Sequence, residues 1–245
     1  VEIRTPDPDP AFESLVEREA DGSLRRIVDM SVEEAALRRN TRIRTEEQRA
    51  QVEAYLMERR ARLEKVVIEN LDLLARIDDG ELETIDFANR DETARARAIV
   101  EPLYVKPSAV LELKARGVID DLTARFNTQT IEREYRAALL EEEKRQAGHD
   151  GNAQAKVMFR ALMRQGYDEA MVTRRRLLLE AADRIETVAR GASGELGSAL
   201  ASARSKLAGL SDRDAQYRVM LDTLRSLPIE RQRELLRRVI ETRGG

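Results

Sequence analysis

Residues able to do acid–base or metal chemistry are few in this 245-residue chain. His149 is its one histidine, followed by Asp150 and Gly151, and there is no cysteine. One imidazole without a thiolate cannot assemble the multi-histidine or cysteine-containing ligand set of a typical zinc site. A di-iron bundle site needs E-x-x-H on two helices, and Gln146 stands three residues before His149. His149 therefore reads as a solvated turn residue. Carboxylate pairs are abundant, as in Glu33-Glu34, Glu46-Glu47, Asp78-Asp79 and Glu141-Glu142-Glu143. General acid–base work needs such groups in a pocket that separates their pKa values. These instead fall at expected helix starts, where they complement the dipole, or on polar helix faces. No G-x-x-x-x-G-K-[ST] phosphate loop and no G-x-S-x-G elbow occurs. Gly191, Gly194 and Gly197 read as backbone hinges. The expectation is a protein that is not an enzyme, with no catalytic residue, no metal ligand, no cofactor-binding residue and no cofactor.

Basic clusters are the other candidate chemistry. Arg174, Arg175 and Arg176 are consecutive, and the last helix carries Arg237 and Arg238 among other arginines. Guanidinium groups bind carboxylate and phosphate bidentately, so these five are the candidate anion-binding residues. Single-stranded nucleic acid binding pairs such charges with aromatic platforms. Only Phe159 and Tyr167 lie near the first cluster, and the last helix has none. Glu230, Glu234 and Glu241 also sit within ion-pairing spacing there. Nucleic acid is thus a disfavoured partner, and contact of the last helix with a membrane surface through Leu235, Leu236, Val239 and Ile240 is a weak one. No stretch approaches the roughly 18 apolar residues of a membrane span. Charge is uneven along the chain: residues 1–150 hold 25 basic and 34 acidic side chains, residues 151–245 hold 18 and 12. That polarity suits an anionic partner at one end or head-to-tail association.

The elements that would position these residues are helical. Charged residues make up 36% of the chain and aromatics 4%, with 12 Gly and 6 Pro, a profile of long helices. From Thr45 to Asp78 no Gly or Pro intervenes, and Val52, Tyr55, Leu56, Leu63, Val66, Val67, Leu71, Leu74 and Ile77 form one stripe. Such a period predicts a helix over 45–78 with one buried side, roughly 50 Å long. Arg59 and Asn70 fall on or beside the stripe; an Asn in such a row can fix register in a coiled coil. Leu56, Leu63, Val67, Asn70 and Leu74 are the candidate interaction stripe.

The rest follows from punctuation. Residues 1–30 comprise an extended Pro-rich leader and then Asp21-Gly22 between apolar pairs, which predicts a β-hairpin with helix as the competing reading of 11–28. Ser31 and Thr45 open capping boxes. Asp91 caps a helix to Val100, Ser108 one that stops at Gly117, and a helix from Val118 to Gln146 has a kink near Asn127. Asp168 caps a long run to Arg190, a small-residue joint occupies 191–197, Ser211 caps a helix to Leu224, and Pro228 opens the last helix. The expected fold is all-α: an elongated multi-helix bundle with long antiparallel helices and a small N-terminal β-hairpin. Its regions are 1–30, an acidic helical part 31–148 and a basic helical part 149–245, divided at the His149-Asp150-Gly151 turn.

Thr45-Glu46-Glu47-Gln48-Arg49 and Leu227-Pro228-Ile229-Glu230-Arg231-Gln232 resemble the L-T-x-x-Q motifs of helical periplasmic stress chaperones and metal-responsive adaptors. The overlap is two short stretches, with Arg44 where the motif has Leu and Arg231 before Gln232, and it assigns no family. The expected function is that of a non-enzymatic structural or adaptor protein mediating protein–protein interaction, by self-association or with a protein partner, as an envelope scaffold or chaperone-like protein. An anion-binding helical module, for nucleic acid or an acidic membrane surface, is the alternative. The first residue is Val1, so the expected location is periplasmic or exported if a leader was removed, and cytoplasmic otherwise.

Overall fold

The computed structural model describes residues 17–18, 24–25, 30–86, 89–145 and 169–244. The described chain is mostly helical: α1 Val32–Arg38, α2 Glu46–Glu69, α3 Leu71–Asp78, α4 Arg90–Val100, α5 Ala109–Ala115 and α6 Asp121–Arg145 come first. Then follow α7 over 169–183, α8 Ile185–Ala189, α9 Gly194–Leu207, α10 Arg213–Arg225 and α11 Ile229–Glu241. Glu17–Arg18 pairs antiparallel with Leu24–Arg25. These two-residue segments are too short to decide the hairpin expected over 11–28. The Pro-rich leader, the Asp21-Gly22 turn, the Asp168 cap and the His149-Asp150-Gly151 turn lie outside the described residues.

Local chemistry explains where the helices begin. Ser31 Oγ accepts from Glu34 N at 3.2 Å. Thr45 Oγ1 accepts from Gln48 N at 3.1 Å while Gln48 Oε1 accepts from Thr45 N at 3.5 Å and from Arg44 N at 3.3 Å, a capping box whose return arm is shared with the preceding residue. Ser108 caps α5, and Gly117, at φ +71°, follows its end where the chain turns through the left-handed region. Other caps move by a residue or two from their expected positions. Asn89 rather than Asp91 caps α4, and Asp212 rather than Ser211 caps α10.

Three expectations need correction. The helix over 45–78 is two helices, because Asn70 breaks it: its backbone is at φ −116°, ψ 29°, and its Nδ2 donates to the Val66 carbonyl at 2.8 Å. An amide that competes for a helix carbonyl offers the backbone an exit. Gly197 is no hinge. It lies inside α9, where an added Cβ would stand 2.8 Å from the Ala192 carbonyl oxygen. The joint expected over 191–197 thus gives way to helix at Gly194. Finally, the helix expected from Val118 starts at Asp121, as α6, and is continuous through Asn127.

The chain divides into two compact units, each built from two separate stretches of sequence. Unit 1 is Val1–Arg59 with Lys106–Ala161; unit 2 is Arg60–Val105 with Leu162–Gly245. The charge switch near His149 reflects composition, whereas the units follow apolar packing. In unit 1, α1 packs on α5 and α6, and Leu37, Val52, Leu56, Val110, Leu113 and Ile131 are among its core. In unit 2, α3 packs on α11, and α9 packs on α8, α10 and α11. Its core includes Val67, Leu74, Leu177, Leu178, Leu200 and Leu235.

Candidate functional site

Three of the five candidate stripe residues, Leu56, Val67 and Leu74, lie in their own unit's core. Leu56 is 2% exposed in the unit 1 core, and Val67 and Leu74 are fully buried in the unit 2 core. Leu63 is buried as well, and Asn70 is half-buried and spends its amide on Val66. Leu56, Val67 and Leu74 thus contribute to folding through the cores of their units.

Within unit 1 the polar member of the stripe, Arg59, is only 3% exposed. Its Nη2 lies 3.7 Å from the Glu33 carboxylate, itself 2% exposed, and its Nη1 donates to the Pro107 carbonyl at 2.9 Å. Glu33 Oε1 accepts from Val110 N at 3.1 Å, so one ion pair joins α1, α2 and the start of α5. Tyr55, one turn before Arg59, donates its hydroxyl to Glu112 at 2.9 Å. Arg116 lies over the Tyr55 ring at 4.9 Å and bonds both Glu58 and Glu112. Burial raises the Tyr55 phenol to about 12, with the Glu112 hydrogen bond adding to it and Arg59 opposing. A raised phenol stabilises the fold below its unfolded value of about 10, and that contribution is lost as pH climbs from there towards 12. Urea midpoints followed from about pH 9 to 11.5 should therefore fall less steeply in Tyr55→Phe than in the parent. Parallel pH profiles would refute the buried phenol.

In unit 2 the three consecutive arginines do not form one patch. Residues in a helix step by about 100°, and each guanidinium meets a different carboxylate. Arg174, 3% exposed, binds Asp78 through both Nη atoms, at 2.7 and 3.1 Å. Arg175 pairs with Asp214 and lies 4.4 Å from the centre of the Tyr217 ring. Arg176 reaches Glu64 at 3.2 Å, and Arg243 bridges Glu64 and Glu180 at 2.9 and 2.6 Å. Arg238 pairs with Glu234 at 3.1 Å and donates to the Arg190 carbonyl. Arg237 is exposed. Four of the five candidate anion-binding residues thus already hold an internal carboxylate, which an outside anion would have to displace. Helical stepping was the signal in the sequence that the cluster disperses.

Asp78, like Glu64, holds two arginines. It also accepts from Arg225 at 2.7 Å. Burial alone would raise its carboxyl, but the hydrogen bonds and charge of Arg174, followed by those of Arg225, outweigh it and hold the group below its usual range. The pair lines a cleft of about 190 Å³ between α3 and α10, closed off by α7 and α11, whose lining also includes Leu71, Ala75, Leu221, Leu224 and Gln232. This cleft has no counterpart in the sequence reading, because its walls come from segments separated by 96 and 147 positions, as Asp78 is from Arg174 and from Arg225. Among the described residues no group of three or more His, Cys, Asp or Glu is placed to hold a metal ion. No described helix is long and apolar enough to cross a membrane. No protein-family model matches the chain, and no curated protein and no solved structure matches it either.

Proposed function

We propose that this chain is a helical adaptor or scaffold protein that acts by protein–protein association, first of all with a second copy of itself. The observation that carries the reading is on the surface of unit 1. Leu111 on α5 and Leu122 on α6 are each 57% exposed, as is Met57 on α2 at 69%, and the Lys114–Asp121 ion pair, 2.8 Å, links α5 to α6. Apolar side chains next to a charged rim are the composition of a contact surface. Buried charges support the reading in another way: they are spent on bracing helices within a unit. An elongated, antiparallel arrangement with a β-hairpin over 11–28 belongs to the same proposal. The anion-binding alternative has less to draw on, since only Arg237 of its five arginines carries no carboxylate partner among the described residues.

Light scattering across a concentration series tests it. The parent should rise above the 27.9 kDa of one chain in a salt-insensitive way, because apolar burial is not screened. Leu111→Ser combined with Leu122→Ser should hold the mass at one chain. A parent that stays monomeric throughout, or a double variant that assembles like it, would overturn the proposal.

A further inference from the structure

We infer that the cleft between α3 and α10 of unit 2 binds a small zwitterion with an aliphatic side chain, of the chemical class of a branched α-amino acid. The inference concerns a different unit from the adaptor surface and stands or falls separately. Size sets the first limit. At about 190 Å³ the cleft is smaller than the roughly 300–1,000 Å³ of drug-sized sites, and it holds the equivalent of about six waters. The floor sets the second. Leu71 and Leu224 are each 2% exposed, and Leu221 and Ala75 are partly buried, so the base of the cleft rewards a short aliphatic body.

Charge sets the third. Four ionised groups line the cleft, Asp78 and Asp79 against Arg174 and Arg225, and they balance. A simple anion or cation would upset that balance; a ligand carrying both signs would not. The balance is also unevenly used. Asp78 and Arg174 hold each other through two hydrogen bonds, and both side chains are buried. Arg225 keeps 47% of its side chain exposed and gives Asp78 a single hydrogen bond, from a guanidinium with five N–H donors. Asp79 is exposed and its carboxylate has no ion pair among the described residues. Arg225 can therefore take a ligand carboxylate, and Asp79 an ammonium. Preorganisation favours the first contact: Arg174 fixes Asp78, Asp78 fixes one edge of Arg225, and the ligand need not order that guanidinium itself.

Isothermal titration of the full chain with leucine is the test, with leucinamide, N-acetyl-leucine and glycine as controls. Leucine should bind saturably. Leucinamide lacks the carboxylate, N-acetyl-leucine lacks the ammonium and glycine lacks the aliphatic body, so each should bind at least about tenfold more weakly, the equivalent of about 1.4 kcal/mol. Arg225→Gln and Asp79→Asn alter exposed or half-exposed side chains, and circular dichroism should show both folded; each should lose leucine binding by a similar factor. Absence of saturable binding of leucine, isoleucine or valine up to about 10 mM would overturn the inference. Equal binding of leucine and N-acetyl-leucine, or unchanged binding in both variants, would overturn it too.

Discussion

Arg59→Met is expected to cost unit 1 about 3–5 kcal/mol, the range for removing one partner of a buried ion pair. That is a large share of the roughly 5–15 kcal/mol that holds a typical domain folded. The Arg59 and Glu33 side chains are 3% and 2% exposed. With the guanidinium gone, Glu33 would stay buried with the Val110 N–H as its hydrogen-bond donor, and the Pro107 carbonyl would lose the donor it has at 2.9 Å. Methionine fills much of the arginine stem's volume, so the loss would report charge rather than a void. The companion variant separates the two causes. Arg59→Met with Glu33→Leu removes both charges together, and paired apolar replacement of a buried ion pair is often neutral or stabilising. The double variant should therefore recover most of the loss. Urea midpoints by circular dichroism give the magnitude, and amide hydrogen exchange locates it: protection should fall in α1 and α5 before the helices of unit 2. A single variant within about 1 kcal/mol of the parent, or a double variant worse than the single, would refute the buried pair.

Arg59 also marks how far the sequence could be read. Its position in the row with Val52 and Val66 set it on the buried side of the helix, and its burial follows from that period. The identity of its partner did not follow, because Glu33 lies on another helix and looked like a first-turn carboxylate complementing the dipole. Helix existence was legible wherever a capping side chain and a repeating apolar stripe coincide, as at Ser31, Thr45 and Ser108. The break at Asn70 was not. A single non-helical residue leaves the apolar stripe nearly in phase, so Leu63, Val67, Leu71 and Leu74 look continuous across it. The division into units was illegible for a related reason. Local pattern says which face of a helix is buried and nothing about which distant helix buries it, so α3 against α11 has no signature in either segment. Ion pairs separated by 96, 112 and 179 positions, from Arg174 to Asp78, Arg176 to Glu64 and Arg243 to Glu64, are products of that packing. Read from sequence, their arginines form basic runs.

Arg174→Met should be the most damaging change in unit 2, with a loss of about 3–5 kcal/mol at neutral pH, and its dependence on pH distinguishes it from a packing defect. In the parent, Asp78 is held below its usual range because the hydrogen bonds and charges of Arg174 and Arg225 outweigh burial. A carboxyl with a lowered folded value contributes stability above its unfolded value, about 3.9, and that contribution is lost as pH falls towards and through the folded value. In Arg174→Met the balance reverses. Burial remains, the bidentate partner is gone, and only half-exposed Arg225 still faces Asp78, so its carboxyl moves upward. A raised carboxyl destabilises the fold at neutral pH and is relieved by protonation as pH falls. The gap between parent and variant should therefore be widest near pH 7 and shrink on acidification, with the parent surrendering its Asp78 contribution below about pH 4. Asp78→Asn with Arg174→Met, which has no carboxyl at this position, should show a gap that holds constant from pH 7 to about pH 4 and narrows only below it, as the parent loses its own Asp78 contribution. Urea midpoints of the three proteins between about pH 3.5 and 7 decide the matter, since the other carboxylates titrate in all of them and cancel. A gap constant with pH would assign the loss to packing and refute Asp78 as an ionised, arginine-held anchor of α3.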